Sequence, residues 1–119
     1  MIGDNATINP HVFLDFSGGL MIGKNVLISR NVTVFTHSHG YDPKSEARKM
    51  PLRIDDNVWV GANVIIGEAV SWIAAGSIIG TGSVVTRDIT EKGIYAGVPA
   101  SLKKSLPSAT EVSKAGLSR

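Results

Sequence analysis

Aliphatic residues recur at every sixth position of this chain, a period that suits neither a 3.6-residue helix nor an alternating strand. The marks begin at Ile2, Ile8 and Leu14, and resume at Ile22, Ile28 and Val34 after two extra residues around Gly18 and Gly19. They return at Ile54, Val60 and Ile66 after a long polar break, and at Ile73, Ile79 and Val85 after one extra residue near Trp72. A second, smaller position lies four residues after most marks: Ala6, Val12, Val26, Val32, Val58, Val64, Val70, Ser77 and Ser83. The pattern fits a coil with three short flat faces, its aliphatic residues pointing inward and its corners taking small or polar residues. Stacked coils of this kind pair edge to edge as parallel strands about 4.8 Å apart. The marks predict an all-β parallel β-helix of about four coils. A β-sandwich with accidental spacing is the alternative, and the repeated recovery of phase counts against it.

The composition agrees. Of 119 residues, 43% are hydrophobic and 18% charged, as in an ordinary globular domain, and 13 glycines accompany few aromatics. Many short strands and tight corners suit that balance better than a helical bundle. There is no cysteine, which excludes disulfides, thiolate metal sites and cysteine nucleophiles. No apolar run approaches the roughly 20 residues a spanning helix needs, and the N-terminus lacks a secretion signal, so the expected location is cytoplasmic, without membrane insertion. A net charge of +2, with no basic stripe interleaved with aromatics, gives no reason to expect nucleic acid as a partner.

Residues 35–53 carry no repeat phase and hold His37, His39 and a cluster of Lys and Arg. A long polar loop ejected from a regular solenoid is where function is expected, because packing does not require it. Near Glu91 the repeat ends in Gly93-Ile94-Tyr95-Ala96-Gly97-Val98-Pro99-Ala100, whose glycines and proline are expected to terminate strand pairing. Residues 1–100 therefore form the expected β-helix domain, and 101–119 a basic exit segment with a loose tail.

Several segments in order resemble the hexapeptide-repeat acetyltransferases, in the branch of the galactoside, maltose and polysaccharide O-acetyltransferases. They are Ile22-Gly23-Lys24-Asn25-Val26-Leu27-Ile28, Thr36-His37-Ser38-His39, Ile54-Asp55-Asp56-Asn57-Val58-Trp59-Val60-Gly61-Ala62, Gly82-Ser83-Val84-Val85-Thr86-Arg87-Asp88-Ile89 and Ala96-Gly97-Val98-Pro99-Ala100. The resemblance implies a left-handed sense for the helix, a homotrimer, acetyl-CoA as donor and a sugar-like hydroxyl acceptor bound between subunits, with no metal. Counting from Asn31-Val32-Thr33 and from Asp42-Pro43 places the family's catalytic histidine at His39, with His37 as the alternate. An imidazole suits the task, since transfer from an activated thioester needs a base for the attacking hydroxyl. The resemblance further implies acceptor contacts at Asn9 and Trp59. Asp15 is the nearest carboxylate for binding sugar hydroxyls or for orienting the histidine. For the donor it implies backbone contacts at Ala62, Thr81, Gly82 and Thr86, with Arg87, Lys103 and Lys104 beside the CoA phosphates.

Two departures stand out. The repeat starts at Met1, where the branch carries a preceding segment, which leaves the first coil's strand edges exposed. Residues 67–76 replace the usual Pro-Gly-Val turn with one residue too many, so a distorted donor groove and an inactive relative remain open. Two other functions stay in view. One is a non-catalytic scaffold. The other is a zinc enzyme similar to the γ-class carbonic anhydrases, which needs three converging imidazoles that His11, His37 and His39 would have to supply.

Overall fold

The structure, a computed structural model, describes residues 1–107. It is all strand, turn and bend, and no helix among the described residues is long and apolar enough to cross a membrane. The last twelve residues of the expected tail lie outside the described residues.

Three ladders carry the architecture. The first stacks β1 (Thr7–Ile8), β4 (Leu27–Ile28), β9 (Trp59–Val60), β12 (Ile78–Ile79) and β14 (Gly93–Gly97) in parallel, with β15 (Ala100–Ser105) antiparallel at its end. The second stacks β2 (Phe13–Leu14), β5 (Thr33–Val34), β10 (Ile65–Ile66) and β13 (Val84–Val85), all parallel. The third stacks β3 (Leu20–Ile22), β8 (Leu52–Ile54) and β11 (Trp72–Ile73), also parallel. The chain visits the ladders in turn, so each inward aliphatic residue lands on its counterpart one turn away: Ile8 on Ile28, Ile28 on Val60, Val60 on Ile79.

Burial follows the beat. Ile28, Val34, Val60, Ile66 and Ile73 are completely buried, as are the smaller Val32 and Val64. Ile2 and Ile8 carry the same phase but are 47% and 38% exposed, because nothing among the described residues stacks on the outer side of the first coil. Where the small position becomes serine, a backbone carbonyl takes the hydroxyl: Ser83 donates to Gly80 O at 2.6 Å.

Two of the three corners repeat one backbone shape. At the corner before the first ladder, Asn5, Asn25, Asn57 and Gly76 all have positive φ; at the corner after it, His11, Asn31, Asn63 and Gly82 do. Asn and Gly tolerate the left-handed region best, so these corners select them. The corners also bond to one another: Asn57 N donates to Lys24 O at 2.9 Å and Asn63 N to Arg30 O at 3.1 Å. Asn side chains extend the column, with the Asn5 amide donating to Asn25 Oδ1 at 2.7 Å.

Some expectations change. The loop is shorter than 35–53, because Leu52 and Arg53 already lie in β8, in register with Leu20 and Met21. Its stem, β6 (His37–Ser38) and β7 (Arg48–Lys49), pairs antiparallel. The segment 93–100 does not end strand pairing. Gly93–Gly97 is a full strand of the first ladder, and the basic exit segment becomes β15 beside it. Gly93 permits this approach: a Cβ there would sit 2.5 Å from Leu102 Cδ1. The extra residue near Trp72 leaves the ladders undisturbed, with Trp72 opposite Arg53 and Ile73 opposite Ile54. It is absorbed at Ser71, whose N–H and hydroxyl both donate to Asp88, at 2.6 and 2.7 Å.

Because the core is one narrow column, truncation inside it should cost far more than truncation at its open end. Ile66→Ala is expected to lose about 2–5 kcal/mol in urea denaturation, and Ile8→Ala less than about 1 kcal/mol. Equal losses would contradict the assignment of the core.

Candidate active site

The corner between the second and third ladders is the irregular one, and the loop leaves the solenoid there. Asp15 organises it. The residue follows β2, is only 7% exposed, and accepts four hydrogen bonds. Oδ1 takes the Ser17 N–H at 3.0 Å and the Ser17 hydroxyl at 2.6 Å; Oδ2 takes the Thr36 N–H at 2.8 Å and His37 Nδ1 at 2.5 Å. The Thr36 hydroxyl returns a bond to Asp15 O at 2.7 Å and accepts the Gly18 N–H at 3.0 Å. Gly18 can have no side chain here, since a Cβ would fall 1.5 Å from Thr36 O. Burial by itself would raise the Asp15 carboxyl; the bonds from Ser17, Thr36 and His37 outweigh it and hold the group well below the usual carboxylate range.

The two histidines leave this knot in sequence. An ionised carboxylate only accepts, so His37 carries its proton on Nδ1 and presents Nε2 as a lone pair when neutral. His39 is fixed in the same tautomer by a different partner, the carbonyl of Ser45, which takes Nδ1 at 2.8 Å. Ser45 is held in turn by its hydroxyl, which donates to His39 O at 2.8 Å. The rings sit edge to face, with centroids 5.3 Å apart at 87°. Both keep partial exposure. The pair is therefore two oriented imidazoles, each with its second nitrogen free to act on a proton.

The remaining candidates fall on two ridges. Thr86 and Arg87 share the irregular corner with Asp15 and the histidines, further along the stack. Asn9 lies on the opposite edge of the second ladder, in a depression with Pro10, His11, Ser29 and Arg30. Trp59 is outward and 45% exposed, and its indole N–H donates to Ser29 Oγ at 3.4 Å. Ala62, Thr81 and Gly82 continue that ridge, with Gly82 N donating to Ala62 O at 2.9 Å. Lys103 and Lys104 are exposed on β15. Asp15 is thus brought to His37, whereas Asn9 and Trp59 stay apart from both histidines, with β2 and its ladder between them. His11 is a corner residue on the Asn9 ridge, and among the described residues no group of three His, Cys, Asp or Glu is arranged to hold a metal. Ser17, Thr36 and Ser45 were not singled out by sequence; a serine two residues after Asp15, as in an Asx-turn, was the available signal.

Against known proteins, no family model matches the chain. It is 32% identical to the galactoside O-acetyltransferase of Escherichia coli over 82% of this chain and 60% of that protein. It superposes on a maltose O-acetyltransferase from Clostridium difficile with a TM-score of 0.81 and 34% identity, covering 90% of this chain and 59% of the other. A hexapeptide-repeat acetyltransferase from Vibrio cholerae, solved with acetyl coenzyme A, gives 0.80 and 36%, covering 90% and 60%. Its homologues are hexapeptide-repeat acetyltransferases. The chain spans about 60% of the length of these relatives.

The Asp15 knot yields a pH test. Because its folded pKa is depressed, Asp15 stabilises the protein above the ordinary carboxylate range, and that stabilisation is lost as pH falls below about 4 towards the depressed value. Asp15→Asn turns one acceptor into a donor facing donors, so it should lose about 2 kcal/mol at pH 7 and flatten the part of the acid limb that lies below about pH 4. An unchanged acid limb in urea titrations would contradict the role given to Asp15.

Proposed function

We propose that this protein is an acetyl-CoA-dependent O-acetyltransferase acting on a sugar or polysaccharide-precursor hydroxyl, with His39 as general base. The observation that carries the proposal is the fixed tautomer of His39: with Nδ1–H held by the Ser45 carbonyl, Nε2 is left as the acceptor for a hydroxyl proton. In the reaction the hydroxyl oxygen attacks the thioester carbonyl as His39 Nε2 takes its proton. The tetrahedral intermediate then collapses, breaking the C–S bond, and the proton passes to the departing CoA sulfur. No protein nucleophile is needed, because the thioester is already activated.

Acetyl-CoA is assigned to Ala62, Thr81, Gly82 and Thr86, with Arg87, Lys103 and Lys104 at its phosphates; the acceptor is assigned to Asn9 and Trp59. Asp15, with both oxygens engaged by the chain itself, serves better as an orienting group than as a sugar ligand. The separation of the two ridges supports a homotrimer of left-handed β-helices: the histidine ridge of one copy and the Asn9–Trp59 ridge of the next would complete a shared cleft. The cytoplasm remains the proposed location.

A second base is favoured by one observation, the Asp15–His37 pair, since a carboxylate behind an imidazole steadies the cation formed during proton transfer. Two variants separate the possibilities. His39→Ala is expected to lower thiol release from acetyl-CoA with sugar acceptors about 10²–10⁴-fold. His37→Asn retains an N–H for Asp15 and should act mainly through positioning, with a loss of about tenfold or less. Normal turnover in His39→Ala with collapse in His37→Asn would transfer the role to His37; no thiol release by the wild type would favour a scaffold.

A further inference from the structure

We infer that the depression on the Asn9 ridge is an anion subsite, which selects acceptors carrying a carboxylate or phosphate. The inference rests on the transferase proposal for what the ligand is, and on the structure for the site itself. Asn9, Pro10, His11, Ser29 and Arg30 line an open depression of about 380 Å³. Its polar groups are a guanidinium, an imidazole, a hydroxyl and an amide, with no carboxylate among them. Arg30 has no acid in ion-pair range among the described residues, in contrast to Arg53, whose Nε meets Asp55 Oδ1 at 2.8 Å. Ser29 Oγ accepts the Trp59 N–H and keeps its own proton for a ligand. The Asn9 side chain makes no hydrogen bond to a described residue, leaving its N–H₂ free.

The backbone presents these groups rigidly. Asn9 N donates to Ile28 O at 3.0 Å and Ser29 N to Val60 O at 2.9 Å, so both are fixed by ladder bonds. Arg30 and His11 occupy consecutive turns of one corner, tied by the Asn31 N–H to Pro10 O bond at 3.1 Å. A planar guanidinium beside neutral donors is the arrangement that binds a carboxylate or phosphate bidentately. Position decides between acceptor and donor. Ala62 is one coil further along this ridge and Thr81 two, so the depression lies roughly 5–10 Å before the assigned CoA contacts, beside Trp59 at the acceptor end. A neutral sugar would leave Arg30 without a partner; a uronic acid or a sugar phosphate would engage it.

The test compares glucose, glucuronate and glucose 1-phosphate as acceptors for the full chain. The wild type is expected to use one charged acceptor at least about tenfold better than glucose in kcat/KM, and the better one identifies carboxylate or phosphate. Arg30→Gln should bring that acceptor to the level of glucose while the KM for acetyl-CoA is retained. Equal use of all three, or a raised acetyl-CoA KM as the main effect of Arg30→Gln, would overturn the inference. If none of the three is acetylated, the transferase proposal is judged separately by thiol release with other sugar acceptors, and the subsite is decided by NMR titration with the two charged sugars. Shifts at His11 and Arg30 that glucose does not produce, and that Arg30→Gln abolishes, would sustain it. Their absence would overturn it.

Discussion

The whole structure depends on superposition: each turn must place its inward aliphatic residue and its left-handed corner residue directly over those of the turn before. A solenoid has no core other than the column that these residues share, so a single inward side chain is packed by the turns above and below it and by the other two faces of its own turn. The completely buried Val60 and Ile66 show that condition met, and the exposed Ile8 shows it half met. Corners of positive φ are the second half of the constraint, because only a repeated backbone shape lets Asn63 N reach Arg30 O. Two corners obey strictly. The third is released from the rule, and everything mobile in sequence length is found there: the two extra residues near Gly18, the long loop, and the extra residue at Ser71.

That division explains how the chemistry is positioned. A loop stem leaving a rigid column would ordinarily swing, yet here a buried carboxylate fastens it. Asp15 collects bonds from its own turn through Ser17 and from the next through Thr36 and His37, so the first residues of the loop inherit the rigidity of the coil. His39 stands two residues beyond that anchor and gains its own from Ser45, across the base of the loop. The imidazoles are thus ordered by two unlike acceptors, one charged and one neutral, within 5.3 Å of each other. The two rings therefore differ in the partner that orients them although their tautomers agree.

Much of this was legible in the residues. Period six identified the inward positions, and all nine marks from Ile22 to Val85 are buried. The small and polar residues between the marks indicated corners, but the positive φ shared by Asn5, Asn25, Asn31, Asn57 and Asn63 emerged only from the structure. Less was legible wherever a contact joins residues distant in sequence without a periodic signature. Nothing around Asp88 says that it caps Ser71, seventeen residues earlier, so the irregular turn looked like a distortion although the ladder absorbs it. The glycines of 93–97 suggested an ending because glycine weakens strands in isolation; only the approach of Leu102 gives Gly93 a reason to lie in one. Asp15 was legible as a carboxylate near the histidines but not as one saturated by four donors, since two of those come from the far side of a turn.

The central proposal is that the two ridges of one chain are half-sites, each completed by the opposite ridge of a second copy. Mixed assembly tests it most directly. Chains with His39→Ala are unfolded and refolded together in equal amounts with chains carrying both Asn9→Ala and Trp59→Ala, each parent being inactive alone, and thiol release from acetyl-CoA is measured. Random mixing leaves about a quarter of the shared clefts with both halves intact, so activity near about a quarter of wild type is predicted. Activity no higher than that of either parent, in mixtures shown to have exchanged subunits, would contradict the account.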